Sequence, residues 1–384
     1  MRIVADRDIP HARTAFSKFG EVELAAGRSL SRDRLGDAQI LLVRSVTRVD
    51  HRLLDGTDIR FVGTATSGVD HLDTEYLNLR KIPYFSAAGC NARAVAEYVL
   101  ACGFLHGPLG SRGSSSVRAG IVGYGNVGKI VCSMLTSLGV HCVVNDPPLA
   151  DSSPDVSFVE LDEALDSDIV SLHVPLTEAG DFPTRHLIGA KQLSRLRPDT
   201  LLINTARGGI IDEDALLGWL RERGRAPVAI DCWVAEPTVR LPLLRLATIA
   251  TPHIAGHTIE ARRRATAILV RKLEAILGTE ADFPSQFEVP IDFKLDQASP
   301  EPVRTAVLHC CNPSAVTAMM RRMLGFPITR RAGYFDQLRN QAAIRREFPA
   351  VRIASEGLQS DTVAMLRELG FEMTTQGTEN DATE

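Results

Sequence analysis

The 384-residue sequence has no excess of charge of either sign and few aromatic residues. Its 43 lysines and arginines nearly balance 47 aspartates and glutamates, which leaves a net charge of −4, and aromatic residues make up 5% of the chain. A chain this close to neutrality has no general electrostatic attraction for nucleic acid or for an anionic membrane. The composition therefore predicts neither kind of partner, and any cationic site has to be local.

Long hydrophobic runs are missing as well. The longest weakly polar stretch, at 98–109, is broken by glycines, a histidine and a proline. It is shorter than the roughly 20 apolar residues that a bilayer-spanning helix needs. Residues 1–8 carry charges where a secretory signal needs an apolar centre. The sequence thus predicts neither membrane insertion nor export.

The seven cysteines do not form the pattern of a disulfide framework. Their number is odd, no CxxC pair occurs, and the adjacent pair Cys310–Cys311 indicates no particular function. In a chain this long such cysteines are typical of a reduced, cytoplasmic protein in which most thiols are small core residues. We therefore expect a cytoplasmic location.

Short apolar runs rich in valine and isoleucine alternate with amphipathic stretches along the chain. This order is typical of parallel sheets whose crossover helices cover both faces. The strand candidates are residues 2–5, 40–43, 59–62, 82–85, 119–122, 140–145, 169–173, 200–204, 228–231 and 248–250. The helix candidates are 92–105, capped by Asn91, and 126–138, 187–195 and 213–223.

A glycine motif follows the fifth strand candidate and precedes a helix candidate. Gly123 would permit the tight turn, Gly125 would let backbone approach a pyrophosphate, and Gly128 would let the helix pack on the strand. The free N–H groups of the helix N-terminus favour phosphate. Asp146 ends the next strand, where a carboxylate could accept hydrogen bonds from an adenosine ribose. The alternative is a structural turn with a surface aspartate.

A second motif places Arg207 directly after a buried strand. Open parallel sheets bind ligands beyond the carboxyl ends of their strands, and a guanidinium there can hold a carboxylate through two parallel hydrogen bonds. The acidic cluster Asp212, Glu213 and Asp214 could be a metal site. We interpret it instead as the cap and first turn of the next helix.

Two further strand ends carry Glu236 and His253 to the same edge of the sheet. A carboxylate that is hydrogen-bonded to an imidazole raises its basicity and fixes its orientation, which makes a general acid–base pair. His253 and His257 also have the spacing of a zinc-binding pair. No HExxH glutamate lies between them, and Pro252 and Gly256 disfavour a regular helix. The sequence predicts no metal.

These motifs together resemble the D-2-hydroxyacid dehydrogenase superfamily. Within it, TATSGVDHLD at 64–73 and NTARGGIIDEDAL at 204–216 are similar to the erythronate-4-phosphate dehydrogenase family of vitamin B6 biosynthesis. The likeness covers most of residues 1–290. It continues faintly at 334–339 and 345–348, which resemble that family's C-terminal dimerisation segment. The resemblance implies oxidation of 4-phospho-erythronate to its 2-oxo acid with NAD as cofactor, in a homodimer.

The resemblance also implies a role for each matching residue. Arg207, Glu236 and His253 would be catalytic. The expected cofactor contacts are Gly123, Gly125, Asn126, Val127, Gly128, Asp146, Val174, Ala206, Asp231 and Gly256, and the expected substrate contacts are Ser45, Thr66 and His257. His257 stands where the family usually has tyrosine. Val174 stands where the family often has threonine, so it can contribute only backbone.

Arg44 is our own candidate for the second anionic end of such a substrate, because it follows a strand at 40–43. Arg345 or Arg346 from a dimer partner is a weaker candidate. Apolar residues of the C-terminal segment are spaced as one helical face, and we expect that face to be buried between two subunits. They are Val316, Met319, Met320, Met323 and Leu324.

The predicted fold is α/β with two doubly wound parallel-sheet domains and a small α+β C-terminal dimerisation domain. A flavodoxin-like substrate-binding domain would comprise 1–92 and 257–285, a Rossmann-type NAD domain 93–256, and the dimerisation domain 286–384. Two alternatives remain open. One is another 2-hydroxyacid dehydrogenase, such as one that acts on phosphoglycerate, and the other is a non-catalytic, dinucleotide-sensing corepressor on the same fold.

Overall fold

The computed structural model describes residues 1–109, 116–224, 226–281, 283–284, 289–296 and 299–374. The chain divides into two compact units, Met1–Ala92 with Ile259–Glu288, and Arg93–Thr258 with Val289–Glu384. The C-terminal segment is thus grouped with the unit that contains the glycine motif. Residues 110–115 and 375–384 are among those outside the described residues.

The first unit is built on a five-stranded parallel sheet. Its elements are β1 (Arg2–Asp6), α1 (Ala12–Phe16), β2 (Glu21–Ala25), α2 (Arg32–Leu35), β3 (Ile40–Val43), α3 (His51–Leu54), β4 (Phe61–Thr64), α4 (Thr74–Leu79) and β5 (Tyr84–Ser86), with 3-10 turns at Ser17–Phe19 and Gly27–Ser29. The strand order is β2-β1-β3-β4-β5. A later helix, Ile259–Leu277, completes the unit.

Both faces of this sheet are buried, as in other parallel sheets with helices on both sides. Ile3 and Leu42 pack with Phe16 and with Leu269 of the later helix on one face. On the other face, Leu41 lies in a separate cluster. The strand β2 was not predicted, because this edge strand buries only Val22 and Ala25 and its other positions are polar or half-exposed.

The second unit is built on a six-stranded parallel sheet. Its elements up to the later helix of the first unit are α5 (Ala92–His106), β6 (Arg118–Val122), α6 (Asn126–Ser137), β7 (His141–Asn145), α7 (Pro147–Ala150), α8 (Leu161–Leu165), β8 (Ile169–Leu172), α9 (Ala190–Arg195), β9 (Leu201–Asn204), α10 (Glu213–Arg223), β10 (Val228–Ile230), α11 (Leu241–Leu246) and β11 (Ile249–Ala250). The later helix, Ile259–Leu277, is α12.

The order of this sheet is β11-β10-β9-β8-β6-β7, so the chain reverses its direction of addition between β6 and β8. In open α/β sheets this switch point is where a ligand binds, beyond the carboxyl ends of the strands. The glycine motif follows β6 and therefore lies at the switch point. The predicted Rossmann-type topology is confirmed.

The C-terminal segment forms a small parallel sheet with helices between its strands. Its elements are β12 (Ile291–Phe293), α13 (Pro302–Cys310), α14 (Pro313–Met320), α15 (Ile328–Gln341), β13 (Val351–Ala354), α16 (Ser360–Leu369) and β14 (Glu372–Thr374), with 3-10 turns at Arg321–Gly325, Ala342–Ile344 and Phe348–Ala350. The strand order is β12-β13-β14. The predicted small C-terminal domain of helices and strands is therefore confirmed, although its sheet is parallel throughout.

The expectation that the methionine-rich face lies between two subunits was wrong. Met320 and Met323 are fully buried in one cluster with Leu243 and Leu244 of α11, and Met319 and Leu324 pack against that cluster. Val316 packs against the neighbouring cluster. The chain itself covers Met320 and Met323 completely, while Val316, Met319 and Leu324 are half-buried.

Candidate active site

The glycine loop after β6 has the shape that a bound pyrophosphate needs. Gly123 has a φ of +95°, and a Cβ atom there would lie 2.7 Å from the carbonyl carbon of His173. A Cβ atom on Gly128 would lie 2.0 Å from the carbonyl oxygen of Gly123, so α6 packs directly on the loop. Gly125, at the start of α6, has nothing within 4 Å of its Cβ position. That open space lies at a helix N-terminus, where anions bind.

Asp146 connects the end of β7 to the glycine loop. Its carboxylate accepts hydrogen bonds from the backbone N–H of Tyr124 at 2.7 Å and of Leu149 at 3.2 Å, and it caps α7. Each carboxylate oxygen has a second lone pair, and the residue is only half-buried. Asp146 can therefore hold the loop in shape and still accept hydrogen bonds from a ribose.

Val174 follows β8 at the switch point and is half-buried. The preceding His173 forms a 2.9 Å hydrogen bond between its Nε2 and the Ser171 hydroxyl. Burial lowers the pKa of His173 to about 3, so its ring is neutral at pH 7. No positive charge from this histidine thus lies beside the loop.

The segment that carries Arg207 is held by the side chain of Asn204, the last residue of β9. Asn204 Nδ2 donates to the carbonyl oxygen of Arg207 at 2.9 Å, and its Oδ1 accepts from the N–H of Ala206 at 3.1 Å. A Cβ atom on Gly208 would lie 2.1 Å from the carbonyl oxygen of Trp233. The turn around Arg207 is therefore fixed on both sides. This role of Asn204 was not predicted, because an asparagine at a strand end does not by itself indicate that its side chain holds a turn.

The acidic cluster after this turn begins a helix, as predicted. Asp212 accepts hydrogen bonds from the N–H groups of Asp214 at 2.9 Å and Ala215 at 3.1 Å, as the N-cap of α10. These contacts account for the local excess of acidic residues.

Glu236 and His253 form the predicted pair. His253 Nδ1 lies 2.8 Å from Oε2 and 3.1 Å from Oε1 of Glu236. The backbone N–H of Trp233 donates to Oε1 at 2.8 Å, which fixes the carboxylate from its other side. The side chains are 31% and 22% exposed for His253 and Glu236. A reactant can therefore reach the imidazole while Glu236 holds its Nδ1.

The electrostatics of the pair favour a protonated imidazole. Burial alone would raise the pKa of Glu236, but the charge and hydrogen bond of His253, and more weakly Arg339, hold it below its ordinary value. Burial opposes a charge on His253, yet the charge and hydrogen bond of Glu236 and the hydrogen bond of Cys232 raise its pKa well above 6.5. Burial also raises the pKa of the Cys232 thiol, which is therefore neutral at pH 7. Glu236 is thus the charge that stabilises the imidazolium.

Asp231 positions the turn on which His253 sits. Its carboxylate is 1% exposed and accepts hydrogen bonds from the Thr251 hydroxyl at 2.6 Å and from the N–H groups of Ile254 and Ala255 at 2.8 and 2.9 Å. His253 has a φ of +56°, an uncommon conformation for a residue with a Cβ atom. The contacts to Asp231 stabilise this conformation. The expected contact of Asp231 with NAD stays a prediction.

Gly256 and His257 continue the same turn, and both are half-buried. The N–H of His257 donates to the carbonyl oxygen of Ile254 at 2.9 Å. The C-terminal segment supports this turn, because Arg345 Nη2 donates to the carbonyl oxygens of Ala255 and Ala94, at 2.5 and 2.8 Å. Arg345 is therefore a structural clamp within its own chain, and the idea that it reaches a partner's site was wrong.

Arg339 is a second C-terminal arginine that the sequence analysis missed. It lies on α15, whose Phe335 and Leu338 are buried in the same cluster as Trp233 and Val239, the residues on either side of Glu236. This packing explains why the charge of Arg339 acts on Glu236. The contact joins residues about a hundred positions apart, so no local pattern could have indicated it.

The predicted substrate contacts in the first unit lie at the carboxyl ends of β3 and β4. Arg44 binds the carboxylates of Asp6 and Asp8 at 3.1 and 2.5 Å. Asp8 also accepts, through its backbone oxygen, a 3.1 Å hydrogen bond from Arg262 of α12, and the charge of Arg44 acts on Arg262. Arg44 and Arg262 thus lie close together, and two aspartates partly neutralise their positive charge.

The other two predicted contacts of this unit differ in exposure. Ser45 is exposed, while Thr66 is half-buried. The Thr66 hydroxyl donates to the carbonyl oxygen of Gly68 at 2.9 Å and lies 2.7 Å from the Thr64 hydroxyl. Their role as substrate contacts stays a prediction.

Known proteins resemble this chain in sequence and in fold. Residues 106–255 match the family described as D-isomer specific 2-hydroxyacid dehydrogenase, NAD binding domain. Among solved structures, D-lactate dehydrogenase from Aquifex aeolicus, complexed with NAD and lactic acid, has a TM-score of 0.62 at 22% identity over 72% of this chain and 96% of that one. That likeness supports the fold.

Full-length relatives define the family. Erythronate-4-phosphate dehydrogenase of Hahella chejuensis is 38% identical over 98% of this chain and 100% of its own length. The enzyme of that name from Azotobacter vinelandii is 39% identical over 97% of this chain and 100% of its own length. The chain, with its NAD-binding domain, belongs to the erythronate-4-phosphate dehydrogenase family of D-2-hydroxyacid dehydrogenases.

Proposed function

We propose that the chain oxidises 4-phospho-D-erythronate to (R)-3-hydroxy-2-oxo-4-phosphooxybutanoate with NAD, as a step in the biosynthesis of pyridoxal 5'-phosphate. The observation that carries the proposal is the Glu236–His253 pair, in which one carboxylate holds Nδ1 of a reachable imidazole at 2.8 Å. This pair stands at the strand ends of a domain that binds NAD. Such a pair removes a hydroxyl proton while a cofactor accepts hydride.

The glycine loop fits NAD. Gly123 and Gly128 leave no room for side chains, and Gly125 leaves open space at the start of α6. Asp146 stands at the end of β7 for the ribose hydroxyls, and its negative charge would repel the extra phosphate of NADP. Bound there, NAD supplies the acceptor for the hydride that leaves C2 of the substrate.

His253 moves the proton of the reaction. Glu236 holds Nδ1, so Nε2 is the nitrogen that accepts the proton of the 2-hydroxyl group as C2 loses its hydride. The electron pair of the O–H bond becomes the new C=O bond. Glu236 stabilises the imidazolium that results, and the proton later passes to solvent.

Arg207 orients the substrate. Its guanidinium can bind the carboxylate next to C2 with two parallel hydrogen bonds, and Asn204 fixes the turn that presents it. The contacts expected at the far end of the substrate are Arg44, Ser45, Thr66 and His257. Arg262 joins this proposal, because it lies beside Arg44.

The protein is also proposed to be cytoplasmic and to form a homodimer. The cytoplasmic location is supported by the seven cysteines, all of which are free thiols. Assembly as a homodimer is supported by apolar side chains of the C-terminal segment that remain exposed, among them Val289, Ile328 and Ile344. Light scattering on the full chain should give twice the monomer mass, and a monomer would contradict this part.

The test of the reaction is the appearance of NADH, followed by its absorbance, with 4-phospho-D-erythronate as substrate. Glycerate and lactate are the controls, because they share the 2-hydroxy acid but lack the phosphate and the four-carbon chain. We expect rapid NADH formation with the phosphorylated acid only. NAD binding without turnover of any of the three would instead indicate a cofactor-sensing protein.

A further inference from the structure

A third potential ligand accompanies the acid–base pair. The Sγ atom of Cys232, one carboxylate oxygen of Glu236 and one ring nitrogen of His253 all lie within 4.8 Å of one another. Cys232 is 2% exposed, and its thiol donates to the carbonyl oxygen of Ala206 at 3.4 Å. The proposed reaction assigns no role to this thiol.

The three atoms nearly have the spacing of a metal site. In a tetrahedral zinc site with bonds of about 2.0–2.3 Å, the ligand atoms lie about 3.3–3.7 Å apart. Shifts of about 1 Å or less would bring the sulfur, oxygen and nitrogen to those distances. The donor set is one thiolate, one imidazole and one carboxylate, which zinc accepts readily.

Charge and access also suit a divalent cation. A thiolate and a carboxylate together neutralise a charge of +2. The proton of the thiol and the extra proton of the imidazolium both leave to solvent when the metal binds. His253 and Glu236 are partly exposed, which gives the ion a route of entry and leaves a fourth position for water.

We propose that Cys232, Glu236 and His253 bind zinc, and that bound zinc blocks the acid–base pair. If zinc binds Nδ1 of His253, it displaces the hydrogen bond between that nitrogen and Glu236. If zinc binds Nε2, it occupies the lone pair that would accept the substrate's proton. Either way the imidazole no longer acts as a base. The site is inhibitory, and the binding step does not depend on the proposed reaction.

Binding can be tested without substrate. Zinc is titrated calorimetrically into the reduced, untagged full-length protein, and cobalt(II) is used as the spectroscopic probe. We expect one ion per chain and a thiolate-to-cobalt charge-transfer absorption band. Loss of an outer-shell partner already costs about 10–100-fold in metal affinity, so Cys232→Val should weaken zinc binding by at least about 100-fold and abolish the band.

Two variants make the result specific. Cys310→Ser, which alters a half-exposed thiol, should keep the affinity and the band. Cys232→Ser should lose the band as Cys232→Val does, which separates loss of the ligand from a packing defect. Unchanged zinc affinity in both Cys232 variants would overturn the proposal, and so would absence of zinc binding by the unsubstituted protein.

Activity supplies the second half of the test. Zinc should inhibit NADH formation by the unsubstituted protein, a chelator should restore it, and Cys232→Val should lose this sensitivity relative to its own zinc-free rate. Full turnover with zinc bound would overturn the blocking effect. If no substrate is turned over at all, the proposed function fails, while the cobalt band still decides the metal site.

Discussion

At the scale of single residues, the pair of Glu236 and His253 makes a prediction about pH. Glu236 raises the pKa of His253, and only neutral His253 can accept a proton. Glu236→Gln removes the charge, so the pKa should fall and the acidic limb of the kcat/KM profile for oxidation should move to lower pH. The measurement is this profile, together with an NMR titration of the His253 ring. An acidic limb that stays in place would contradict the assignment.

Asp146 makes a prediction about the choice of cofactor. Asp146→Ser removes the charge that repels NADP and a ribose acceptor worth about 1.5–3 kcal/mol. The ratio of kcat/KM for NAD over NADP should therefore fall by at least about tenfold. Asp151→Ser, at an exposed position just after α7, is the matched control. Equal use of both cofactors by the unsubstituted enzyme would contradict the role of Asp146.

Residues at strand ends could be predicted from the sequence because a parallel sheet brings its carboxyl ends to one edge. Glu236 and His253 were predicted in this way. Cys232 and Arg339 were not predicted, although both act on the pair. Cys232 looks like an ordinary core residue, and Arg339 reaches Glu236 only through the packing of α15. Such contacts depend on tertiary structure, which no local pattern encodes.

At the scale of elements, the fit of α6 against the glycine loop can be tested. Gly128→Ala would place a Cβ atom 2.0 Å from the carbonyl oxygen of Gly123. The helix would have to move, at a cost of about 1–3 kcal/mol in the free energy of unfolding, and NAD should bind at least about tenfold more weakly. Urea unfolding and NAD titration measure both effects.

Gly218 in α10 is the control for that variant. Its Cβ position has nothing within 4 Å, so Gly218→Ala should raise the free energy of unfolding by about 0.5–1 kcal/mol and leave NAD binding unchanged. If Gly128→Ala behaved in the same way, close packing of α6 on the loop would be refuted.

Elements could be predicted best where apolar patterns are strong. The buried strands β6, β8 and β9 lie within a residue or two of their predicted positions. The helix α13 was missed because its segment begins among prolines, although Pro302 occupies the first turn, where proline is tolerated. The edge strand β2 was missed because it is mostly polar or half-exposed.

At the scale of the whole molecule, the C-terminal segment is part of the core of the second unit. Phe348, Val351 and Ile353 are fully buried with α5 and α6, and Phe335 lies in the cluster that contains Trp233. Each such side chain stabilises the fold by about 1.5–3 kcal/mol on burial. The sum over these side chains is comparable to the free energy of unfolding of a typical domain.

A chain that stops after residue 288 should therefore lose the cooperative thermal transition of the second unit and its affinity for NAD. If the segment served assembly alone, the same truncation would abolish only the dimer. Calorimetry and NAD titration distinguish the two outcomes. A truncated monomer that still binds NAD and keeps the transition would show that the segment serves assembly alone. Phe335→Ala is the milder variant, with an expected loss of about 3–5 kcal/mol.

The central claim is that hydride leaves C2 of the phosphorylated acid while His253 takes the proton. The most direct measurement uses 4-phospho-D-erythronate with deuterium at C2 and follows the label by mass spectrometry. We expect one deuterium in each NADH formed by the unsubstituted protein. His253→Asn should still bind NAD and lose turnover by at least about 100-fold. NADH without the label, or near-normal turnover by His253→Asn, would contradict the account.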